Sequence, residues 1–293
     1  MSAFGIIVVD KPEGLTSHKI VSIVRRGTGV RKVGHAGTLD PRASGVLVLC
    51  LGPATRLSEY LSSSNKTYEA RIRFGESTET YDSEGETTSS SGEVPNEAQI
   101  ETVLEKYRGE IQQVPPPFSA VKLQGKKAYE LAREGKPVKL ESRSVTVYEL
   151  TKLGYEPPDL SIRVECSAGT YIRSLAHDLG EALSTGAHLA SLRRIKAGPF
   201  SLDDAVTLEA IEESMKLGEW ESLVRPAADA LPDLPAVRVD EPELDRLRNG
   251  LRIPSEDGTS EMAKAVAPDG ELVAILVSAD DGREWQPRKV FLS

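Results

Sequence analysis

Two separated segments repeat the same two-residue alternation, and that period constrains the fold more than any other feature of the chain. Tyr68, Ala70, Ile72 and Phe74 are interleaved with Glu69, Arg71 and Arg73; Leu160, Ile162, Val164 and Cys166 are interleaved with Ser161, Arg163 and Glu165. Successive side chains of a strand point to opposite faces, so each segment reads as a strand with one dry and one wet face. Strands of this kind favour antiparallel pairing, with helices on the dry side. Gly5-Ile6-Ile7-Val8-Val9 and Val46 to Leu51 differ: they are continuous apolar runs, expected as buried strands. Ser17 starts a helix with Ile20, Ile23 and Val24 on one face, and a Gly-rich loop follows it. Thr170 is placed to cap a second helix running to about Leu183, with Ile172, Leu175, Leu179 and Leu183 on one stripe and Gly186 as its stop. The expected class is α+β rather than a doubly wound parallel sheet.

Beyond Phe200 the chain turns acidic and helical. Leu231-Pro232-Asp233-Leu234-Pro235 reads as a linker, because two prolines and a change of polarity fall within five residues. A strand-rich module follows, with Ala263 to Val266 and Leu272 to Val277 split by Pro268-Asp269-Gly270 as a hairpin. The expected domains are 1–230 and 235–293. No apolar run approaches a membrane span, and the start lacks a basic region and a cleavage site, so a cytoplasmic protein is expected. Cys50 and Cys166 lie in apolar runs and are expected as reduced core thiols. The net charge of -9 argues at first sight against a nucleic-acid partner. That average hides a division: Lys11, Lys19, Arg25, Arg26, Arg31, Lys32, Arg42 and Arg56 crowd the first 56 residues, and a second basic stretch runs from Lys122 to Arg143. One positive face within an acidic envelope suits a polyanion; solvated surface charge is the alternative.

The four histidines and two cysteines show no zinc spacing, and neither a P-loop nor a dinucleotide fingerprint occurs; no metal and no cofactor are expected. Chemistry concentrates in Gly34-His35-Ala36-Gly37-Thr38-Leu39-Asp40-Pro41-Arg42-Ala43-Ser44-Gly45, where three glycines imply special backbone angles or close approach of a ligand. Asp40 before Pro41 is an ordinary turn initiator. In a loop with His35 and Arg42, beside an apolar strand, it is equally placed to act as a covalent nucleophile or general base. Arg173 lies in the first turn of the second helix, where the helix dipole opposes a cation unless an anion lies close. Asp40 or a phosphate would supply that anion; an exposed arginine is the alternative. Tyr68 and Tyr171 read as half-buried core aromatics or as surfaces for stacking a base.

These motifs, in order, resemble the bacterial tRNA pseudouridine-55 synthases over almost the whole chain. The resemblance is carried by Asp10-Lys11-Pro12 with Gly14 and Ser17, by Gly34 to Pro41 with Gly45, and by Lys66-Thr67-Tyr68. It continues through Phe74-Gly75, Thr78 to Asp82 with Gly85, Pro115-Pro116-Pro117 with Ser119-Ala120, Gly169 to Leu175, and Leu192-Arg193-Arg194. It implies a catalytic domain on a mixed, largely antiparallel sheet, a thumb-like insertion over about 117–141, and a small β-rich tail similar to a PUA domain that binds RNA. The implied reaction isomerises the uridine at position 55 in the T-loop of tRNA, without cofactor, after the nucleotide is turned out of its loop. Asp40 matches the catalytic aspartate, and Arg173 its ion-pair partner. Tyr68 matches the residue that stacks on the target and mediates proton removal from C5; His35 matches the one that fills the space left by the base. Tyr171 and Leu192 match pocket residues, and Lys11 and Arg42 substrate contacts. The partner implied is the T-arm of tRNA, bound by a monomer. Phe118 and Arg56 stand where the family commonly has tyrosine and lysine. Two rivals are a non-catalytic RNA-binding protein and a carbohydrate hydrolase, the latter lacking a matching second carboxyl group.

Overall fold

Continuous apolar runs and alternating ones occupy different parts of one ten-stranded sheet. In the computed structural model, which describes residues 4–123, 125–136, 139–255, 260–279 and 282–291, β1 (Gly5–Lys11) pairs antiparallel with β3 (Ser44–Leu51). Ile7, Val9, Leu47, Leu49 and Leu51 pack into the main core with Ile20, Val21 and Val24 of α1 (Ser17–Thr28). Ile6, Val8, Val46, Val48 and Cys50 belong to a second core with Ala54, Leu57 and Leu61, joined by Leu272, Ile275 and Phe291 of the tail. Both faces of these strands are covered, so neither needs a polar residue at alternate positions. β4 (Lys66–Phe74) and the Asp159–Cys166 strand lack that second cover. They pair antiparallel with Tyr68 opposite Val164 and Ile72 opposite Leu160, and their wet face carries the ion pairs Arg163–Glu69 and Arg73–Asp159.

The sheet runs in the order Val206–Thr207, β1, β3, Ala187–Ala197, β4, Asp159–Cys166, Arg143–Glu156, Gly109–Gln113. Two of these neighbouring pairs are parallel, β1 with Val206–Thr207 and β3 with Ala187–Ala197. The mixed, largely antiparallel sheet is therefore as expected. Two local readings change. Val33–Ala36, inside the segment read as a Gly-rich loop, forms β2 against the end of β3, because an apolar partner strand overrides the weak preference of four residues. Thr170 does not cap the second helix, which spans Ile172–Ala182 with Tyr171 at its N-cap; the Thr170 hydroxyl donates to the Ser167 carbonyl instead, at 3.0 Å.

A five-stranded sheet forms the tail, ordered Ala236–Arg238, Met262–Val266, Leu272–Ala279, Glu284–Val290, Ile253–Pro254. It has its own core of Val239, Leu247, Ile253, Ala263 and Trp285. The expected hairpin is present: Gly270 takes φ +88°, and the Asp269 carboxylate accepts from the Glu271 N–H at 3.0 Å. Leu231, read as linker, is buried in the core shared with β1 and β3. Arg56 lies at the same junction. Its guanidinium donates to the Val290 carbonyl and sits 5.5 Å from the Phe291 ring centroid, while Lys289 donates to the Arg56 carbonyl at 2.7 Å and pairs with Glu59. Arg56 thus helps dock the tail while remaining exposed. Gln124, Pro137 and Val138 of the insertion placed at 117–141 lie outside the described residues, as do a few residues of the tail. Among the described residues, no helix is long and apolar enough to cross a membrane. Cys50 and Cys166 are free and buried, and burial pushes their thiols up to about 12 and about 11.

Candidate active site

The segment carrying Asp40 joins β2 to β3, and its neighbours fix it from below. The Asp40 carbonyl accepts from the Ala43 N–H at 3.1 Å, closing a turn with Pro41 at its second position, so the turn-initiator reading holds alongside the chemical one. The Pro41 carbonyl accepts from the Gly14 N–H at 2.8 Å and from Lys11 Nζ at 3.2 Å. Ser17 Oγ donates to the Leu39 carbonyl at 3.0 Å and accepts from the Leu39 N–H at 2.9 Å. Both groups of Leu39 are buried, so Ser17→Ala leaves a donor and an acceptor without partners. Each unsatisfied group costs about 1–3 kcal/mol. Urea unfolding of Ser17→Ala should show a loss of about 2–6 kcal/mol over the two groups, and an unchanged midpoint would mean that Ser17 does not hold the loop.

Arg173 is where the segments converge. Its side chain is 8% exposed, with Nε 3.0 Å from Asp40 Oδ2 and Nη1 3.4 Å from Asp82 Oδ2. The Nε–H does not point along the line to Asp40, so this contact is an ion pair rather than a hydrogen bond. Nη1 donates to the Thr80 carbonyl at 3.1 Å and Nη2 to the Phe118 carbonyl at 3.0 Å. Two carboxylates therefore offset the unfavourable placement of a cation in the first helical turn. They are not equivalent. Asp82 is 13% exposed, and its Oδ1 accepts from Thr80 Oγ1 at 2.6 Å and from the Glu84 N–H at 3.0 Å, whereas Asp40 is 46% exposed. Asp40 is the carboxylate a substrate can reach.

Tyr68 is buried on β4, directly across from Arg194 in the strand register. Burial pushes its phenol pKa up and the Arg194 guanidinium opposes that rise, while the Asp40 charge adds a smaller upward push. His35 lies on β2 opposite Leu49, half-buried, with its Nδ1 shielded and unpartnered. Burial and, secondarily, Arg194 and His18 lower its pKa, so the ring is neutral at pH 7. The Tyr171 backbone is clamped by fully buried Gln113, whose Oε1 accepts from the Tyr171 N–H at 2.8 Å and whose Nε2 donates to its carbonyl at 3.0 Å. The Arg143 guanidinium stands 4.9 Å from the Tyr171 ring centroid. Leu192 is partly buried against the main core. Arg42, with a side chain 63% exposed, pairs with Glu84 at 3.3 Å and remains open to solvent.

Lys11 is a correction. It is fully buried, and its ammonium donates to the carbonyls of Pro12, Leu15 and Pro41 at 2.8, 2.7 and 3.2 Å. Burial lowers its pKa to about 8. A lysine so committed braces the Asp40 turn from behind and has no exposed charge to offer a phosphate. Among the described residues, no cluster of three or more His, Cys, Asp or Glu could hold a metal ion. The reading from sequence gave no separate role to Asp82, Gln113 or Arg194. Asp82 and Arg194 stood inside motifs already singled out, but only the fold shows that each is paired inward.

Models of known families match most of the chain. The TruB family pseudouridylate synthase N-terminal domain matches residues 25–172, the tRNA pseudouridylate synthase B C-terminal domain residues 173–231, and the tRNA pseudouridine synthase II C-terminal domain residues 234–292. The chain belongs to the TruB family of pseudouridylate synthases. Relatives named tRNA pseudouridine synthase B include one from Solibacter usitatus, 49% identical over 92% of this chain and 94% of its own. One from Arthrobacter is 46% identical, covering 98% and 96%. Among solved structures, a Cbf5-Nop10-Gar1 complex contains a chain aligning with a TM-score of 0.76 at 30% identity, over 99% of this chain and 85% of that one. An H/ACA RNP bound to a substrate RNA containing 2′-deoxyuridine gives the same TM-score at 27% identity, over 99% and 86%. The TruB fold accounts for the mixed sheet, and its C-terminal module for the PUA-like tail.

Proposed function

We propose that this TruB-family protein isomerises the uridine at position 55 in the T-loop of tRNA, with Asp40 as nucleophile and no cofactor. The observation that carries the reading is the ion pair between Arg173 Nε and Asp40 Oδ2 at 3.0 Å, with the arginine buried and the carboxylate nearly half exposed. A guanidinium held by backbone carbonyls on its far side keeps a fixed positive charge beside the acid, and the exposure leaves the acid open to a ribose C1′ or a uracil C6. The C1′–N1 bond breaks, the ring turns, and a C1′–C5 bond forms. The C5 proton leaves by way of Tyr68 while N1 takes one from solvent, so composition is unchanged.

The target nucleotide must leave its loop, at a cost of a few kcal/mol. Stacking on Tyr68 offsets about 1–3 kcal/mol of that, and a neutral His35 can fill the vacated space without attracting a phosphate. Tyr171 and Leu192 wall the pocket, and exposed Arg42 offers charge to the backbone. Residues 1–230 carry the chemistry and residues 235–293 add RNA contacts, in a cytoplasmic monomer. A carbohydrate hydrolase would need a second carboxyl group as acid. Asp82 is unsuited to that role, being held inward on the same arginine. Purified protein incubated alone with T-arm RNA should yield pseudouridine at that one uridine by base-resolved mapping; an unmodified RNA after stoichiometric incubation would sink the proposal.

A further inference from the structure

Arg194 is buried more deeply than any residue the proposed reaction uses. It lies on the Ala187–Ala197 strand, between β3 and β4, and the register sets it beside Gly45 on one side and Tyr68 on the other. The residue is 1% exposed. Nε donates to the Val46 carbonyl at 2.7 Å, Nη2 to the Gly37 carbonyl at 3.1 Å, and Nη1 reaches the Thr38 carbonyl at 3.5 Å. One planar fork therefore holds both ends of the segment that carries Asp40. The packing has no slack: Gly45 takes φ +99°, and a Cβ there would lie 2.1 Å from the Arg194 carbonyl oxygen.

The charge is as informative as the fork. Arg193, next in sequence, has an ion-pair partner in Asp10 at 2.8 Å, whereas the Arg194 guanidinium has backbone carbonyls and the Tyr68 hydroxyl as its partners among the described residues, and no carboxylate. A buried cation without a carboxylate is costly, and carbonyls alone could be satisfied by a neutral donor. Its field reaches Lys11, His35, Lys66 and Tyr68. Of these, Tyr68 is the group whose ionised form a cation favours.

We propose that Arg194 is a positioning residue for the isomerisation: its fork fixes the Asp40 segment against Tyr68, and its charge favours the Tyr68 oxygen as acceptor of the C5 proton. The Tyr68 oxygen takes the C5 proton as its own phenolic proton passes to solvent, and N1 takes one from solvent, so the phenol ends as it began. The inference rests on the roles proposed above for Asp40 and Tyr68.

Arg194→Lys keeps the charge and loses the fork; Arg194→Met loses both. With T-arm RNA, kcat should fall roughly 10-fold in Arg194→Lys and roughly 100-fold in Arg194→Met, the scale of a misplaced catalytic group. KM and RNA affinity should stay within about 3-fold, because Arg194 is too buried to touch RNA. The inference is overturned by Arg194→Met turning over at the unaltered rate, by a loss expressed in KM, or by Arg194→Lys recovering nothing over Arg194→Met. Failure of both variants to fold, read from thermal melts, assigns Arg194 to folding and overturns it as well. An Asp40→Asn control separates the two levels: turnover by that variant rejects the reading of the site, whereas an inactive Asp40→Asn beside a fully active Arg194→Met rejects only this inference.

Discussion

Asp40→Asn is expected to bind T-arm RNA like the unaltered protein and to form essentially no pseudouridine, a loss of at least about 10³-fold in single-turnover rate. The change is nearly isosteric, and the features that shape the turn are in the backbone: the Asp40 carbonyl with the Ala43 N–H, and the Leu39 groups with Ser17. Arg173 does not become an unpaired buried charge, because Asp82 remains 3.4 Å from Nη1 and the carbonyls of Thr80 and Phe118 still accept from it. Folding and RNA binding should therefore survive. Chemistry should not, since a neutral amide can neither bond C1′ nor stabilise charge developing on the ribose. Tritium release from RNA labelled at uridine C5 reads the chemical step directly. A rate within tenfold of the unaltered protein would remove Asp40 from the mechanism.

Much of this site was legible in the sequence, and the limits have physical causes. Period-two alternation at Tyr68–Phe74 and Leu160–Cys166 marks the strands because one face of each is wet; β1 and β3 read only as buried runs because both of their faces are covered. Arg173 stood out because a cation in the first helical turn requires an anion, and the structure supplies two. The second could not be foreseen from Asp82 alone, since its direction depends on the Thr80 hydroxyl and the Glu84 N–H. Lys11 was misjudged because a lysine in sequence shows its charge but not whether backbone carbonyls already claim it, and here Pro12, Leu15 and Pro41 do. Thr170 is not the cap because the helix starts one residue later, its first turn closed by the Leu175 N–H on the Tyr171 carbonyl, and the Thr170 hydroxyl turns back to donate to Ser167.

Arg173→Lys is expected to lose roughly 10²-fold in kcat while retaining the fold and RNA affinity, which makes it the sharper probe of what the arginine does. Arg173→Met would strand Asp40 and Asp82 beside each other without a cation, and breaking a buried pair in this way costs about 3–5 kcal/mol, so lost activity could reflect lost structure. Lysine keeps the charge. It cannot keep the geometry, because four partners lie around the guanidinium in different directions: Asp40 at Nε, Asp82 and the Thr80 carbonyl at Nη1, and the Phe118 carbonyl at Nη2. An ammonium presents its donors from a single point, so it must choose. Asp82 and the neighbouring carbonyl are the more buried partners, where an unpaired group costs most, and the ammonium should settle there. Asp40, the exposed member, then loses its orientation, and misplacement of about 1 Å in a reacting group is enough for the expected loss. The melting temperature should fall by only a few degrees, reflecting one orphaned carbonyl. Turnover within threefold of the unaltered protein would show that charge alone suffices at this position and that the fork contributes nothing to aiming Asp40.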